Sequence, residues 1–257
     1  MAFNHIDTRI DGTTLWVTIN RPEAMNALDA RAHCDLEIIF DKYAGRHDLR
    51  VAVITGAGDK SFCAGSDLKA RETAGGDELP GTGFAGLAER FDLHKPVIAA
   101  VNGYAIGGGL EIVLACDLAI AVRHAKFGFP EPKVGLAATG GLHRLARQMS
   151  LKHAMEIALT GKMFSAEEAC RFGLINQVVD AGELSSAVDA CIAELNRCAP
   201  LSLRATKQMM LDGLSAGSLK MAFELRYGAL DDMLASDDAR EGPRAFIEKR
   251  TPVWQGR

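Results

Sequence analysis

Residues 95–122 read KPVIAAVNGYAIGGGLEIVLACDLAIAV, and we interpret the rest of the chain around this stretch. Three consecutive glycines, Gly107, Gly108 and Gly109, follow one apolar run and precede another, LEIVLAC, which carries the acid Glu111. Glycine loses the most backbone entropy on folding, so a triplet is useful where the backbone must approach a ligand closely. A helix that begins there directs N–H groups and the positive end of its dipole at the ligand. A carboxylate in an apolar turn is costly to bury unless it is partnered or functional. The stretch therefore predicts a site that binds an oxyanion and moves a proton.

The composition is that of an ordinary soluble globular protein. Of 257 residues, 48% are hydrophobic and 24% are charged, and the net charge is −4. No run of Lys and Arg is present, so we expect no nucleic-acid partner. Residues 95–122 are long enough to cross a membrane, but polar residues and glycines interrupt them, so we expect no membrane partner.

The cysteines and the N-terminus indicate a cytoplasmic protein. The six cysteines form no C-x-x-C pair and lie mostly in apolar segments, so we expect reduced residues in the core. The first residues, MAFNHIDTRID, contain no basic stretch followed by an apolar one, which predicts no signal peptide.

Strands alternate with helices along the chain. The turn signal Asp11-Gly12 predicts a hairpin between residues 3–10 and 14–20, and Asp29 is a candidate cap for the helix that follows. Ser165 and Glu168 form a predicted capping box. Continuous apolar strands are predicted at residues 50–55, 97–101, 117–122 and 175–179. Buried strands between helices are typical of a mainly parallel sheet, so the predicted fold class is α/β.

Three segments without a strong periodicity are predicted to be loops. Residues 56–70 and 126–141 are punctuated by glycines, and the first follows a buried strand, where α/β proteins place ligands. We interpret residues 74–86 as a surface loop, with a lid or a linker as alternatives. From residue 201 onward the pattern is helical, with apolar faces that either dock on their own core or form oligomer contacts. Those faces carry Met209, Met210, Met221, Phe223, Leu225 and Tyr227.

Backbone groups from two loops are candidates for an oxyanion hole. The loops that carry Ser66 and Gly108 each follow a buried strand, so their tips can meet at one edge of the sheet, where the two N–H groups could bind one oxygen. On spacing alone, glycines that serve only turn geometry explain the pattern at least as well.

Two acids stand out because their surroundings are apolar. Glu111 lies in GGGLEIVLA, and Glu131 lies between Pro130 and Pro132, which favour an extended and rigid backbone. Burial raises the pKa of a glutamate and suits it to general acid–base catalysis. For either acid alone, an ion pair with a nearby arginine is the commoner role. A pair of acids beside an oxyanion hole favours catalysis.

Other chemistries lack their motifs. The sequence contains no G-x-x-x-x-G-K-[ST] phosphate loop, no G-x-S-x-G elbow that would make Ser66 a nucleophile, and no H-E-x-x-H zinc pair. His143 is predicted to lie on a helix surface rather than to act as a base.

The chain resembles the crotonase (enoyl-CoA hydratase/isomerase) superfamily over nearly its whole length. Six strings carry the resemblance: NRPEAMNALD, VITGAGDKSFCAGSDLK, KPVIAAVNGYAIGGGLEIVLACDLAIA, KFGFPEPKVGL, LTGKMFSAEEACRFGLINQVV and EGPRAFIEKRTPVW. It implies a crotonase-like spiral of ββα units over residues 1–200 and a helical trimerisation region over residues 201–257. The implied assembly is a homotrimer or a dimer of trimers.

The same resemblance implies an acyl-CoA thioester as substrate and no separate cofactor or metal. The thioester carbonyl would accept hydrogen bonds from the amides of Ser66 and Gly108, although the family usually has Ala or Gly at the Ser66 position. The residues implied in binding substrate and CoA are Ala24, Met25, Ala64, Asp67, Leu68, Lys69, Phe246 and Lys249.

The implied reaction is hydration of a 2-trans-enoyl-CoA, a hydro-lyase reaction of fatty acid metabolism. In family hydratases two glutamates hold the water, and those positions match Glu111, which would activate the water, and Glu131, which would exchange the proton at C2. Isomerases keep only one of these acids, so the pair favours a hydratase. The alternatives are an enoyl-CoA isomerase, a carnitinyl-CoA dehydratase-like member, or a member of the fold that binds a ligand such as RNA without catalysis.

Two departures from the family pattern affect the substrate. Residues 135–141 read GLAATGG where the family often has a Pro before its glycine pair, which could reshape the acyl pocket. Glu23 stands where many members have a Lys that reaches a CoA phosphate, so Lys69 or Arg71 is expected to substitute.

Overall fold

The computed structural model describes Phe3, residues 5–74 and residues 79–257. Ten strands are assigned within these residues and form a six-stranded and a four-stranded sheet. In chain order they are β1 (Ile6–Asp11), β2 (Thr14–Ile19), β3 (Val51–Gly56), β4 (Ser61–Cys63), β5 (Val97–Val101), β6 (Tyr104–Ile106), β7 (Leu118–Val122), β8 (Lys126–Gly128), β9 (Phe164–Ser165) and β10 (Gln177–Val179). The large sheet has the order β1-β2-β3-β5-β7-β10 and the small sheet the order β4-β6-β8-β9. Only β1–β2 and β8–β9 are antiparallel among the described strand pairs.

Eleven α-helices are assigned in the same described residues. They are α1 (Ala30–Gly45), α2 (Leu68–Ala74), α3 (Gly108–Ala115), α4 (Leu142–Gln148), α5 (Leu151–Thr160), α6 (Ala166–Arg171), α7 (Leu184–Asn196), α8 (Pro200–Ser215), α9 (Leu219–Glu224), α10 (Gly228–Ala235) and α11 (Asp237–Ile247).

The chain repeats one path three times. It runs through a long strand of the large sheet, then a short strand of the small sheet, and then a helix, as in β3-β4-α2, β5-β6-α3 and β7-β8-α4. This arrangement confirms the α/β class and the spiral of ββα units. It also brings the ends of β4, β6 and β8 to one edge of the small sheet, because these strands are parallel neighbours.

Local sequence signals explain where several helices begin. The Asp29 side chain accepts a hydrogen bond of 2.8 Å from the Ala32 amide at the start of α1, as predicted. The capping box of Ser165 and Glu168 at α6 is present. The predicted apolar face of α1 is buried, and it packs on the main core beneath the large sheet. That face consists of Ala32, Leu36, Ile39, Phe40 and Tyr43.

The three predicted loops contain more structure than expected. The first holds β4 and the start of α2, and the third holds β8 and a 3₁₀ helix at Glu131–Val134. The short strand β6 was not predicted at all. Strands of three residues are too short to show a periodicity, so only their neighbours in space define them.

The prediction of a surface loop at residues 74–86 holds for residues 79–82, which are exposed or half-buried and lie outside helices and strands, and is wrong for residues 83–86. Its residues 75–78 lie outside the described residues. Phe84, Ala85 and Gly86 form a buried 3₁₀ helix that packs against α1. The prediction for the cysteines also needs correction, since all six are free but Cys34 and Cys198 are exposed rather than in the core.

The C-terminal helices carry exposed apolar side chains. Of the six predicted apolar residues, Tyr227 is buried, whereas the other five are exposed in the single chain, Phe223 by 84%. Of these six side chains, only Tyr227 is therefore buried by packing within its own chain. The division into residues 1–200 and 201–257 stays a prediction. No helix among the described residues is long and apolar enough to span a membrane.

Candidate active site

The two glycine-rich loops meet at the edge of the small sheet. Strands β4 and β6 are parallel, and Cys63 pairs with Ala105, so the chain leaves both strands at the same edge. The loops then touch, because a Cβ atom placed on Gly65 would lie 3.1 Å from the amide nitrogen of Gly108. The structure thus brings Ser66 and Gly108 to one place, as the sequence predicted.

The orientation of the Ser66 amide follows from its neighbours. The Leu28 amide donates to the Gly65 carbonyl at 2.9 Å, and the Asp67 amide donates to the Leu28 carbonyl at 2.8 Å. Successive amides of an extended chain point to opposite sides, so the Ser66 N–H is directed away from Leu28. Ser66 and Gly108 both line a cavity of about 510 Å³.

At each glycine of the triplet, a side chain would clash with a different neighbouring group. A Cβ on Gly107 would lie 2.7 Å from Oε1 of Glu131, and Gly107 also has a positive φ of 57°. A Cβ on Gly108 would lie 2.2 Å from Cζ of Phe84. A Cβ on Gly109 would lie 2.0 Å from the carbonyl oxygen of Cys63. No larger residue fits at these positions without movement of the surrounding atoms.

Glu111 lies in the first turn of α3 and is 5% exposed. Burial, and secondly the charge of Glu131, raise the pKa of Glu111 from its usual 4.5 to about 7. The backbone amides of Gly140 and Gly141 partly oppose this rise in pKa. Glu111 lines the same cavity as Ser66 and Gly108, so a group that can exchange a proton near neutral pH lies beside the paired amides.

Glu131 enters the cavity from the loop after β8. It begins the 3₁₀ helix Glu131–Val134 after Pro130, and burial raises its pKa above the usual value. Its Oε2 atom is buried and forms no hydrogen bond within the described part of the chain. Neither Glu131 nor Glu111 has an ion-pair partner among the described residues, which argues against the alternative of a structural ion pair.

The structure places the other predicted binding residues in two regions. Ala64 lines the cavity, and its amide donates to the Met25 carbonyl at 3.1 Å, which brings the segment that contains Ala24 beside the loop. Leu68 also lines the cavity. Phe246 lies in α11 and Lys249 follows it, and neither side chain lines the cavity of its own chain.

Asp67 has a structural role at the start of α2, whereas Arg71 and Lys69 are the candidates to bind a CoA phosphate. The Asp67 side chain accepts hydrogen bonds from the Lys69 and Ala70 amides and pairs with Arg21 at 2.6 Å. These contacts lower the pKa of Asp67, the Ala70 amide most strongly, so Asp67 organises the start of α2. Of the two candidates to replace the family's lysine, Arg71 lines the cavity and Lys69 does not.

Sequence reasoning missed Phe84, which lines the cavity next to Gly108. The available signal was an apolar pair, Phe84 and Ala85, enclosed by Gly83 and Gly86 in an otherwise polar segment. His143 is exposed on α4, as predicted. In the described part of the chain, no group of three His, Cys, Asp or Glu side chains could hold a metal ion.

Comparisons with known proteins identify the family of this chain. The model of the enoyl-CoA hydratase/isomerase family matches residues 9–257. A carnitinyl-CoA dehydratase of Proteus mirabilis is 42% identical over 263 residues, which cover 98% of each chain. One from Salmonella typhi is 43% identical over 255 residues, which cover 96% of this chain and 97% of the relative.

Solved structures show the same fold. The crystal structure of an enoyl-CoA hydratase from Mycobacterium tuberculosis superposes with a TM-score of 0.91 at 39% identity, covering 98% of this chain and 99% of the other. An enoyl-CoA hydratase from Bacillus anthracis gives a TM-score of 0.89 at 30% identity, covering 99% of this chain and 100% of the other.

Proposed function

The chain belongs to the enoyl-CoA hydratase/isomerase family, and on this basis we propose that it catalyses the reversible hydration of a 2-trans-enoyl-CoA to a 3-hydroxyacyl-CoA. The observation that carries the proposal is that two glutamates with raised pKa values, Glu111 and Glu131, line one cavity with Ser66 and Gly108.

The amides of Ser66 and Gly108 bind the thioester carbonyl in the proposed reaction. As water attacks C3, negative charge develops on this oxygen, and N–H donors already in place stabilise it better than water would. Loss of one such donor typically costs about 2.7–4 kcal/mol of transition-state stabilisation. The loops therefore contribute most when the enolate forms.

The two glutamates move the protons. The Glu111 carboxylate takes a proton from water while the water oxygen bonds to C3, and the electron pair of the double bond moves to the thioester oxygen. Protonated Glu131 then donates its proton to C2, and the enolate returns to a thioester. Water has been added across the double bond, Glu111 holds the proton taken from water, and Glu131 has lost its proton to C2, so one proton returns to Glu131 before the next turnover. Dehydration is the reverse of these steps.

Two acids in one cavity favour hydration over isomerisation. Isomerisation moves one proton between C2 and C4, and a single acid suffices for that step. Adding water needs one group that accepts a proton and a second that donates one. Glu131 with its buried, unpaired Oε2 supplies the second group in this proposal.

Binding of CoA and assembly complete the proposal. Arg71 is a cationic side chain in the described cavity lining, and it is proposed to take the role of the lysine that many family members have at the position of Glu23. Phe246 and Lys249 remain proposed CoA contacts. The exposed apolar residues of α8 and α9 support assembly into a homotrimer or a dimer of trimers, and a cytoplasmic location stays a prediction.

A second candidate is the dehydration of a 3-hydroxyacyl-CoA whose acyl end carries a quaternary ammonium. Relatives at 42–43% identity are named carnitinyl-CoA dehydratase, and the steps above run in that direction with the same two glutamates. A cationic acyl end would also be attracted by the shared negative charge of Glu111 and Glu131.

A substrate panel distinguishes these candidates. Hydration is followed as the loss of the conjugated enoyl-thioester absorbance with crotonyl-CoA and longer homologues, and dehydration as its appearance with carnitinyl-CoA and 3-hydroxybutyryl-CoA. The proposal fails if no substrate turns over or if Glu131→Gln is as active as the wild type. Double-bond migration without oxygen incorporation from labelled water would identify an isomerase.

A further inference from the structure

The Phe84 side chain lies in the candidate active site but has no role in the proposed reaction. Its ring lines the cavity and is 4% exposed, yet it carries no group that could react. Resting on the proposed function, we propose that Phe84, held in place by His33, shields the Gly108 amide from water and so strengthens the oxyanion hole.

The tip of the Phe84 ring points at Gly108. A Cβ on Gly108 would lie 2.2 Å from Cζ and 2.5 Å from both Cε atoms of Phe84. The ring therefore packs directly on the α-carbon that is bonded to the oxyanion-binding nitrogen. A water molecule that approached the Gly108 N–H from this side would have to displace the ring.

The turn that carries Phe84 is held in an unusual backbone conformation. Gly83, Ala85 and Gly86 all have positive φ values, of 74°, 56° and 65°. Such a conformation is costly for alanine and persists only when surrounding contacts impose it. Gly86 lies against α1, since a Cβ there would be 2.6 Å from the Glu37 backbone nitrogen.

His33 supplies one of the contacts that impose this turn. It is fully buried on α1, and its Nδ1 accepts a hydrogen bond of 3.1 Å from the Ala85 amide. Its ring also meets the Phe84 ring edge-on, with centroids 4.4 Å apart and planes at 65°. His33 thus fixes both the backbone beside Phe84 and the direction of the ring, which makes it a positioning residue.

Arg90 holds the next residue of the turn, Gly86. Its Nε donates to the Gly86 carbonyl at 2.8 Å, and its Nη2 pairs with Asp41 of α1 at 2.6 Å. His33 and Arg90 therefore tie two successive residues of the turn, Ala85 and Gly86, to α1. The backbone that carries the ring cannot shift away from Gly108 unless one of these hydrogen bonds breaks.

The shield has a physical consequence for catalysis. A hydrogen bond from an N–H group is stronger where water is excluded, because the local dielectric constant is lower and no water competes for the donor. If the ring is removed, water reaches the Gly108 amide, and the enolate oxygen gains less from it. The loss should appear in the transition state and in the polarisation of a bound thioester carbonyl, and little in KM.

The test uses infrared spectroscopy of bound butyryl-CoA labelled with carbon-13 at the thioester carbonyl. This saturated thioester cannot be hydrated, so the band reports polarisation without turnover. The full-length variants are Phe84→Leu, Phe84→Met, His33→Leu and His33→Asn. Asparagine keeps an acceptor near the place of Nδ1, whereas leucine does not. Phe40→Leu, which changes a fully buried ring on α1 outside the cavity lining, is the matched control.

The expected result is a carbonyl band shifted to lower frequency by the wild type, His33→Asn and the control. The shift should be smaller in both Phe84 variants and in His33→Leu, with kcat for hydration lowered by about tenfold, less than the loss of a whole donor. The proposed role of Phe84 would be overturned if folded Phe84 variants shifted the carbonyl band as far as the wild type does. It would also be overturned if Phe40→Leu lost as much of the band shift and of kcat as the Phe84 variants. No shift in the wild type would overturn it as well. A wild type that shifts the band but hydrates no enoyl-CoA would refute only the hydratase proposal.

Discussion

Glu111 and Glu131 line one cavity. Burial is the main cause that raises the pKa of Glu111 to about 7, and the charge of Glu131 is the second. Two carboxyl groups that interact in this way lose their protons in two steps that belong to the pair. Near neutral pH the pair is therefore expected to hold one proton. Both directions of the proposed reaction use one proton on the pair: dehydration begins with it on Glu111, the acid whose pKa is raised to about 7, and hydration begins with it on Glu131.

The raised pKa of Glu111 predicts how stability depends on pH. The folded state holds this proton up to about pH 7, whereas the unfolded chain releases it near the usual pKa of 4.5. The folded state thus binds more protons between these values, and the free energy of unfolding falls as the pH rises through this window. Over about 2.5 pKa units the loss is about 3 kcal/mol.

Glu111→Gln removes this ionisation and should stabilise the protein by up to about 3 kcal/mol at pH 8. The advantage should shrink as the pH falls toward 5, where Glu111 of the wild type is protonated. Urea unfolding at both pH values measures the difference, with the exposed Glu156→Gln as control. An advantage of Glu111→Gln that does not change with pH would contradict the assigned pKa.

The shared proton predicts a bell-shaped pH profile of kcat/KM. Activity should fall above about pH 7, as the pair loses its last proton, and should fall again in acid, as a second proton binds. Because hydration and dehydration both use the singly protonated pair, the two profiles should have the same shape and their ratio should not depend on pH. Rates measured in both directions check this, and a profile that stays flat well above pH 8 would count against the pair.

The glycine triplet predicts a contrast between two alanine substitutions. Gly109→Ala places a Cβ 2.0 Å from the Cys63 carbonyl oxygen, a backbone atom that cannot turn away. Overpacking of this kind costs about 1–3 kcal/mol or more. Gly45→Ala at the end of α1 meets nothing within 4 Å and should be neutral or slightly stabilising. Thermal unfolding of both variants tests this, and equal melting temperatures would show that the packing at Gly109 yields.

Local signals made part of the fold predictable. Asp29 caps α1 through an amide three residues away, and Ser165 and Glu168 bond to each other's backbone, so neighbouring residues suffice to define both features. The strand β6 escaped prediction because it has three residues, and it pairs with β4 and β8, which are distant in the sequence. Such pairings depend on the whole fold rather than on a local pattern.

The candidate site shows the same limit. Glu111 and Glu131 were recognisable as acids in apolar surroundings, and the parallel strands explain why they meet Ser66 and Gly108. Phe84 was not recognisable, because its contact with Gly108 depends on a turn whose conformation His33 and Arg90 impose from elsewhere. A glycine-rich segment therefore resembled a surface loop although part of it is buried.

In the proposed reaction Glu111 and Glu131 together add water to an enoyl-CoA. The most direct measurement compares wild type, Glu131→Gln and the exposed control Glu156→Gln with crotonyl-CoA in oxygen-labelled water. We expect label on C3 of the product with wild type and control, and a kcat lowered by about 10²–10⁴-fold in Glu131→Gln. Wild-type turnover by Glu131→Gln, or a product without the label, would contradict it.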